Sequence, residues 1–383
     1  MVQPINLQDS NISITVNLTP VPATPTNFGV VMLLVPPVLP GAVPFPGGVK
    51  TRTYTRATAA VELAADVTAT YISAKMAADV LAAFAQTPHP STIMLGRVTA
   101  WSASPTTVPA DLAAIRAEND SWYCAVPYFA GEVVTTIKED NITALGAYFA
   151  ALKKVCIADT EDPECYAVTT ADVMSKEATL AHERISIIFS QLTGATPGTL
   201  EQPTALCAAC RWLAFDPDLI SAPYRAQVTG LDRAKITATQ LDLSSAQIGY
   251  IKCTTTPKKN GNCLQVYGSA PAFLDPGVNS NGRAVEEVLS ADWLEARVRE
   301  RLADLAVAVA NRGGKIGLDS TGAAMIAAEI NVVLQQGVAA GHWTGPLLGA
   351  ATINTSTKTI TFAAASVTMT RNALSFGLTV DFN

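Results

Sequence analysis

Cys207 and Cys210 stand in a C-x-x-C spacing, the arrangement with which thiol oxidoreductases exchange disulfides. That chemistry needs a thiol at a helix N-terminus, behind a strand, where the dipole lowers its pKa. Leu206, Ala208 and Ala209 around the pair belong to a helix interior instead, where two small residues face a neighbouring helix. A zinc site would need a second pair at matching spacing, and the chain has none. His89, His182 and His342 lie far apart without ligand spacing to Cys or carboxylates. No GxxxxGK[ST], no GxGxxG behind a strand and no GxSxG elbow occurs. Gly313-Gly314-Lys315 reads as a helix C-cap followed by a solvated lysine. The acidic stretch Asp159 to Glu164 lacks the alternating oxygen ligands and the Gly of a calcium loop. No catalytic residue, cofactor or metal is therefore expected, and an α/β thiol-redox enzyme using Cys207 and Cys210 stands only as an alternative.

Composition points the same way. Of 383 residues, 49% are hydrophobic and 15% charged, against roughly 25% charged in an ordinary soluble protein. Something other than charge must cover much of the surface, and neighbouring subunits of an assembly would do so. A net charge of −6 speaks against a nucleic acid held by bulk charge. The longest apolar stretch, Val30 to Leu39, is broken by Pro36 and Pro37 and is short of the ~20 residues of a spanning helix, so no membrane segment is expected. The first residues have neither a basic start nor an apolar core, so no signal peptide is expected. The Asn-x-Ser/Thr matches at Asn11, Asn17 and Asn141 are then coincidental, and the chain is expected to fold in a cytoplasm. The seven cysteines read either as buried thiols or as groups that later meet an oxidising medium.

The elements follow from periodicity. Ile12, Ile14 and Val16 alternate with polar residues, the pattern of a half-buried strand, and Pro20, Pro22 and Pro25 end it. Phe28 to Val35 reads as a buried strand, Asp66 to Phe84 as one helix, and Ile93 to Val98 as a strand. Residues 110–215 alternate: strands at 122–127, 155–158 and 185–189, helices at 142–152, 171–181 and 200–213. That order predicts a small parallel sheet flanked by helices. Residues 225–285 are polar and irregular, with strands at 248–253 and 264–267 around the Asn260-Gly261 turn. Ser290 is expected to cap a helix over 291–310, and Asp319 or Ser320 one that runs to Ala340 and stops at Gly341. The tail reads as strands at 359–362, 366–370 and 378–382, with Leu378, Val380 and Phe382 alternating with polar residues. Both ends are thus short amphipathic strands without a hairpin partner.

Three stretches, in this order, resemble the tail sheath proteins of contractile-tailed bacteriophages and related contractile injection particles. The first is FGVVMLLVPP followed by TRTYTRATAAVELAADVTATYISAKMAADVLAAFAQTPHPSTIMLGRV. It is similar to the family's run of strand, polar strand, helix, F-x-Q-x-P-x-P and a GR-V strand. The second is SADWLEARVRERLADLAVAVANRGGKIGLDSTGAAMIAAEINVVLQQGVAAG. It is similar to the family's DWL helix, Lys-Ile strand and T-x-G helix. The third is the pair of terminal strands. Residues 225–285 fit poorly, and the chain is short for the family.

The resemblance implies an α+β fold with an α/β portion: a sheath-type core of small mixed sheets flanked by helices, with extended N- and C-terminal β-strand arms. The expected divisions are a linking arm over 1–20, the N-terminal core over 21–109, the α/β portion over 110–224, the C-terminal sheath domain over 225–365 and a second arm over 366–383. The implied function is a virion structural subunit that stacks as hexameric rings around the tail tube. It contracts to drive the tube through the host envelope, without hydrolysing nucleotide. The sheath of a headless injection particle is the alternative within this class. Implied partners are further copies of the chain, the tail tube protein, and baseplate and tail terminator or neck proteins, with no nucleic acid or membrane contact. Ile12, Ile14, Val16, Leu378, Val380 and Phe382 would link subunits by β-augmentation. Arg297, Arg299, Arg301, Arg312 and Lys315 are candidates to face the tube; a solvated helix face with a Glu295–Arg299 pair is the competing reading. In the oxidising surroundings of a virion, Cys253 with Cys263 and Cys156 with Cys165 are candidate intrachain disulfides, provided their Cα atoms come within about 7 Å. Cys124, Cys207 and Cys210 would bond to another subunit or stay free.

Overall fold

The computed structural model describes residues 10–12, 27–37, 45–102, 105–129, 134–167, 171–192, 201–234, 259–265, 272–354, 356, 359–362 and 365–369. In chain order the elements are β1 (Ser10–Ile12), β2 (Val31–Val35), β3 (Thr51–Thr55), α1 (Ala59–Thr68), α2 (Ala74–Phe84), β4 (Thr92–Arg97), α3 (Thr107–Glu118), β5 (Cys124–Pro127), α4 (Thr135–Ala150), β6 (Val155–Thr160), α5 (Val173–Leu180), β7 (Ile185–Phe189) and α6 (Thr204–Leu213). β8 (Asn262–Gln265), β9 (Phe273–Asp275), α7 (Val285–Asn311), α8 (Ser320–Ala340), β10 (Trp343–Leu347), β11 (Ala351–Asn354), β12 (Thr359–Phe362) and β13 (Ala365–Met369) complete them. The chain is α+β with an α/β portion, as expected. It divides into two compact units. One comprises Asn27–Phe215 and Ala222–Val285, the other Met1–Thr26, Asp216–Ser221 and Glu286–Asn383.

The first unit is built on an eight-stranded sheet in the order β3-β4-β2-β5-β6-β7-β8-β9. The strands from β4 to β8 in that order run parallel, and antiparallel β3 and β9 close the edges. β2 (VMLLV) and β7 (ISIIF) are buried throughout, the near-continuous apolar composition that strands covered on both faces require. Alternate residues separate the faces. Met32, Leu34, Ala125, Cys156, Ala158, Ile185 and Ile187 share one core with Leu112 and Ile115 of α3, Ile142 and Leu145 of α4, and Val173 and Met174 of α5. α6 packs on β2, β5, β6 and β7 and against α2. Strands of this one sheet come from both sides of the expected 109/110 and 224/225 boundaries, because β2 and β4 pair into the ladder that β5 to β8 extend.

Local differences from expectation have local causes. The helix expected over 66–84 is two. Thr68, Thr70, Tyr71 and Ile72 are weak helix formers, Thr70 adopts φ 59°, and the Ser73 side chain accepts from Met76 N to open α2. The strand expected at Leu264–Tyr267 is β8, over Asn262–Gln265; that expected at 248–253 lies outside the described residues.

In the second unit, α7 begins at Val285, so Ser290 is an interior residue and not the expected cap. Glu286 and Glu287 occupy its first turn, where negative charge suits the helix dipole. Asp319 caps α8 by accepting from Gly322 N, and Gly341, at φ 82°, ends it. α8 packs against β10, and Gly337 makes that possible: a Cβ there would lie 2.0 Å from the Trp343 ring. By length and composition alone α8 would also cross a membrane, with mean hydropathy 1.3. Its Ile326, Ile330, Val333 and Leu334 are buried within the unit. β1, β13 and β10 form one small sheet, and β11 with β12 a separate antiparallel pair.

Candidate functional site

The small sheet of the second unit joins the two ends of the chain. β13 is its central strand. On one side it pairs antiparallel with β10, with Trp343 opposite Met369 and Thr344 opposite Thr368. The register then shifts before Leu347 meets Ser366. Pro346 has no N–H, and Gly345 takes φ 58°, so β10 is irregular where it would otherwise present a regular outer edge. On its other side β13 pairs antiparallel with β1, matching Ser10 to Val367, Asn11 to Ser366 and Ile12 to Ala365. The N-terminal strand, read from sequence as lacking a hairpin partner, thus has a partner at the far end of its own chain, Ser10 to Ile12 against Ala365 to Val367. Local pattern cannot register so distant a pairing. Of the expected linking residues, Ile12 lies in β1, whereas Ile14, Val16, Leu378, Val380 and Phe382 lie outside the described residues.

The expected tube-facing cations separate into two groups. Arg297 reaches Asp218 through Nε at 2.7 Å and Glu300 through Nη1 at 2.7 Å. Arg299 pairs with Glu295 at 2.9 Å, the competing reading made at sequence level, and Arg301 with Glu329 at 2.8 Å. Arg312 and Lys315 are exposed at the end of α7 and just beyond it.

The Asp216–Ser221 segment is clamped within this unit. The Asp218 carboxylate accepts from Trp293 Nε1 at 2.6 Å and from Arg297, and these bonds hold its pKa low against partial desolvation. Ser221 N donates to Ala340 O at 2.7 Å. His342 Nε2 lies 2.8 Å from Pro217 O, its Nδ1 2.7 Å from Ser290 Oγ, and its ring stacks on Trp293 at 4.7 Å. A carbonyl only accepts, so Nε2 carries the proton. Desolvation lowers the His342 pKa, outweighing Pro217 O and Asp218. Sequence reasoning missed this cluster; its one local signal is the turn-forming Asp216-Pro217-Asp218. The segment nevertheless leaves Leu219 75% and Ile220 46% exposed.

At the carboxyl ends of the parallel strands the first unit gathers buried charge. Asp159 accepts from Ala205 N at 3.0 Å, so it serves the N-terminus of α6. Desolvation and nearby Glu161 push its carboxyl well above the carboxylate range. Lys138 pairs with Glu161 at 2.7 Å, both fully buried. Lys259 donates to Asp172 at 2.8 Å and to the carbonyls of Glu164, Cys165 and Ala167 at 2.6, 3.2 and 3.0 Å. Asp172 in turn caps α5 through Ser175 N and Ser175 Oγ. These groups satisfy one another and work as internal ties. Among the described residues no group of His, Cys, Asp and Glu is arranged to hold a metal ion.

Of the two readings of the cysteines, the described ones follow that of buried thiols. Cys207 and Cys210 lie inside α6 and are fully buried, and desolvation raises both thiols. Exchange chemistry requires the opposite, a lowered pKa and access. Cys156 and Cys165 are free thiols and do not form the expected pair. They face different neighbours: Cys156 lies near Glu177 and Cys124, Cys165 near Asp172 and Asp162. Cys263 is buried, its Sγ accepting from Gln265 Nε2 at 3.3 Å, and Cys253 lies outside the described residues. Cys124 is fully buried as well, so none of Cys124, Cys207 and Cys210 is at the surface of the subunit to bond to a neighbour.

No protein-family description matches the chain. No curated protein matches it either. Among solved structures, the chain is similar to the sheath tail protein Lin1278 from Listeria innocua, at 11% identity over 68% of this chain with a TM-score of 0.41. The chain spans 60% of the length of that protein.

Proposed function

We propose that this chain is a structural subunit of a contractile tail sheath in a virion. Copies stack as hexameric rings around a tail tube and shorten to drive the tube through a host envelope. One observation carries the reading: both ends of the chain enter one small sheet through short strands, β1 and β13. Strands that require a sheet edge and come from chain ends are suited to joining subunits by main-chain hydrogen bonds. Head-to-tail joints of that kind generate helical filaments.

Surface chemistry supports the same reading. The second unit exposes Leu219, Ile220, Val307, Leu318 and Leu347. The outward positions Ala328, Asn331, Val332, Gln335, Gln336 and Ala339 of α8 carry no charge. Exposed apolar side chains and an uncharged helix face are suited to contact with another protein surface. In this reading neighbouring subunits cover it, and Arg312 and Lys315 meet the tube, since Arg297, Arg299 and Arg301 are neutralised within the unit. Tail tube, baseplate and terminator or neck proteins are the remaining partners.

Truncation tests the proposal. Removing residues 1–20 or 366–383 is expected to leave a folded protein that sediments as a monomer under conditions where the full chain polymerises. Polymers formed by either truncated protein would overturn the role of the ends.

A further inference from the structure

We propose that Asn281 is a site of spontaneous covalent modification, at which the backbone nitrogen of Gly282 attacks the Asn281 carboxamide and the residue ages to aspartate and isoaspartate. The inference stands whether or not the chain polymerises.

Such chemistry asks three things of a site: a carboxamide, a following backbone nitrogen that no side chain shields, and water. An Asn-Gly step supplies the first two, because glycine has no Cβ. The chain has two of them, Asn260-Gly261 and Asn281-Gly282. The fold treats them differently. Asn260 is buried, and its Nδ2 donates to Ser280 O at 2.8 Å. Gly261 is enclosed so tightly that a Cβ there would lie 2.2 Å from Met174 Sδ. The Asn260 carboxamide can swing onto the next nitrogen only by abandoning a buried bond. Asn281, in contrast, is half-buried and Gly282 exposed. The Asn281 Nδ2 donates to Glu183 Oε1 at 3.1 Å, and Gly282 N to Asn279 O at 2.9 Å. Both bonds border solvent, so water replaces either partner when they open and the net cost is small. The adjacent Asn279-Ser280 step is locked. Asn279 is buried, its Oδ1 accepts from Asn281 N and Arg283 N, and its Nδ2 donates to Glu183 O.

The reaction balances with water as its only co-reactant. Gly282 N gives up its proton and bonds to Asn281 Cγ. The Cγ–Nδ2 bond breaks, and ammonia leaves with that proton, closing a five-membered succinimide. Water then opens the ring. Cleavage at Cγ leaves aspartate; cleavage at the main-chain carbonyl leaves isoaspartate, whose main chain runs through the former side chain. Either product puts a carboxylate where a donor faced Glu183, with Arg283 Nη1, 3.3 Å from Glu183 Oε1, as the nearby cation. Isoaspartate also lengthens the main chain by one carbon inside the turn that Asn279 braces and the Val278–Ala284 bridge closes.

Trypsin cuts after Lys259 and Arg283, which leaves both Asn-Gly steps on one peptide, so a single fragment mass spectrum reports both. In purified protein kept folded at mildly alkaline pH, Asn281 is expected to exchange NH2 for OH at least about tenfold faster than Asn260, whose buried bond must first be lost. In urea the two sites should convert at similar rates. Asn281→Gln, which can close only a six-membered ring, should silence the site. Equal conversion in the folded protein, or none at Asn281, overturns the proposal. A difference between the two sites that persists in urea overturns the role of the fold in selecting Asn281. Aged protein whose backbone amides over 278–284 keep the hydrogen-exchange protection of fresh protein overturns the loosening of the turn.

Discussion

Lys259→Met removes an ammonium with four acceptors and leaves the side-chain length nearly unchanged. Lys259 and Asp172 are 1% and 0% exposed, so water cannot replace the lost partner. The Asp172 carboxylate keeps its bonds from Ser175 N and Ser175 Oγ but loses its counter-charge. The carbonyls of Glu164, Cys165 and Ala167 lose a donor together. Breaking a buried ion pair from one side costs about 3–5 kcal/mol. We take about 4 kcal/mol, since the two remaining bonds to Asp172 offset part of the stranded charge. Against the ~5–15 kcal/mol that holds a typical protein folded, that is a large fraction. For a unit of this size it lowers Tm by about 8–16 °C. Adding Asp172→Asn removes the stranded charge and is expected to recover about 1–2 kcal/mol, which a double-mutant cycle measures. Urea unfolding followed by tryptophan fluorescence reads both variants. A single-variant loss below about 1 kcal/mol would refute the claim that Lys259 ties its segment to α5.

Other consequences are equally direct. His342 has a folded pKa below that of the unfolded chain, so the unfolded state takes up the proton first as pH falls. Its contribution to stability is complete above about pH 7 and is lost as pH drops through about 6.5 toward the folded value; His342→Gln should flatten that part of the urea-midpoint profile, and an unchanged slope would remove His342 as its source. Gly337→Ala drives a methyl into the Trp343 ring and should destabilise the second unit by about 2–3 kcal/mol, read as earlier quenching of Trp293 and Trp343 fluorescence in single-tryptophan backgrounds; a stable variant would show that α8 and β10 are less close. With six thiols buried, the native protein should react with a thiol reagent at Cys253 at most, and assembled particles should run as one band with or without reductant. A ladder that collapses on reduction would restore intersubunit disulfides.

The parts of this structure that repeat at short range were legible. Continuous apolar runs at 31–35 and 185–189 became central strands, and Asp319 with Gly341 bounded α8 as their types require. What escaped depended on distance. The Asp218–Trp293–Arg297 cluster spans residues 75 and 79 apart, and the β1–β13 ladder joins opposite ends of the chain. Residue types alone do not register such contacts. Ser290 shows a second kind of failure: a good capping residue sits inside a helix because Val285 to Leu289 continue the helix on its N-terminal side and His342 gives its hydroxyl a partner. The C-x-x-C pair was readable as a helix-interior feature from its flanking alanines.

The central claim is that this chain polymerises into a tubular sheath. Negative-stain electron microscopy of the purified full chain, alone and with a tail tube assembled beforehand, measures this directly. The account predicts hollow tubes with a regular axial repeat and six-fold rings in end views, formed most readily on the tube. Compact, monodisperse particles that never elongate under either condition would contradict it.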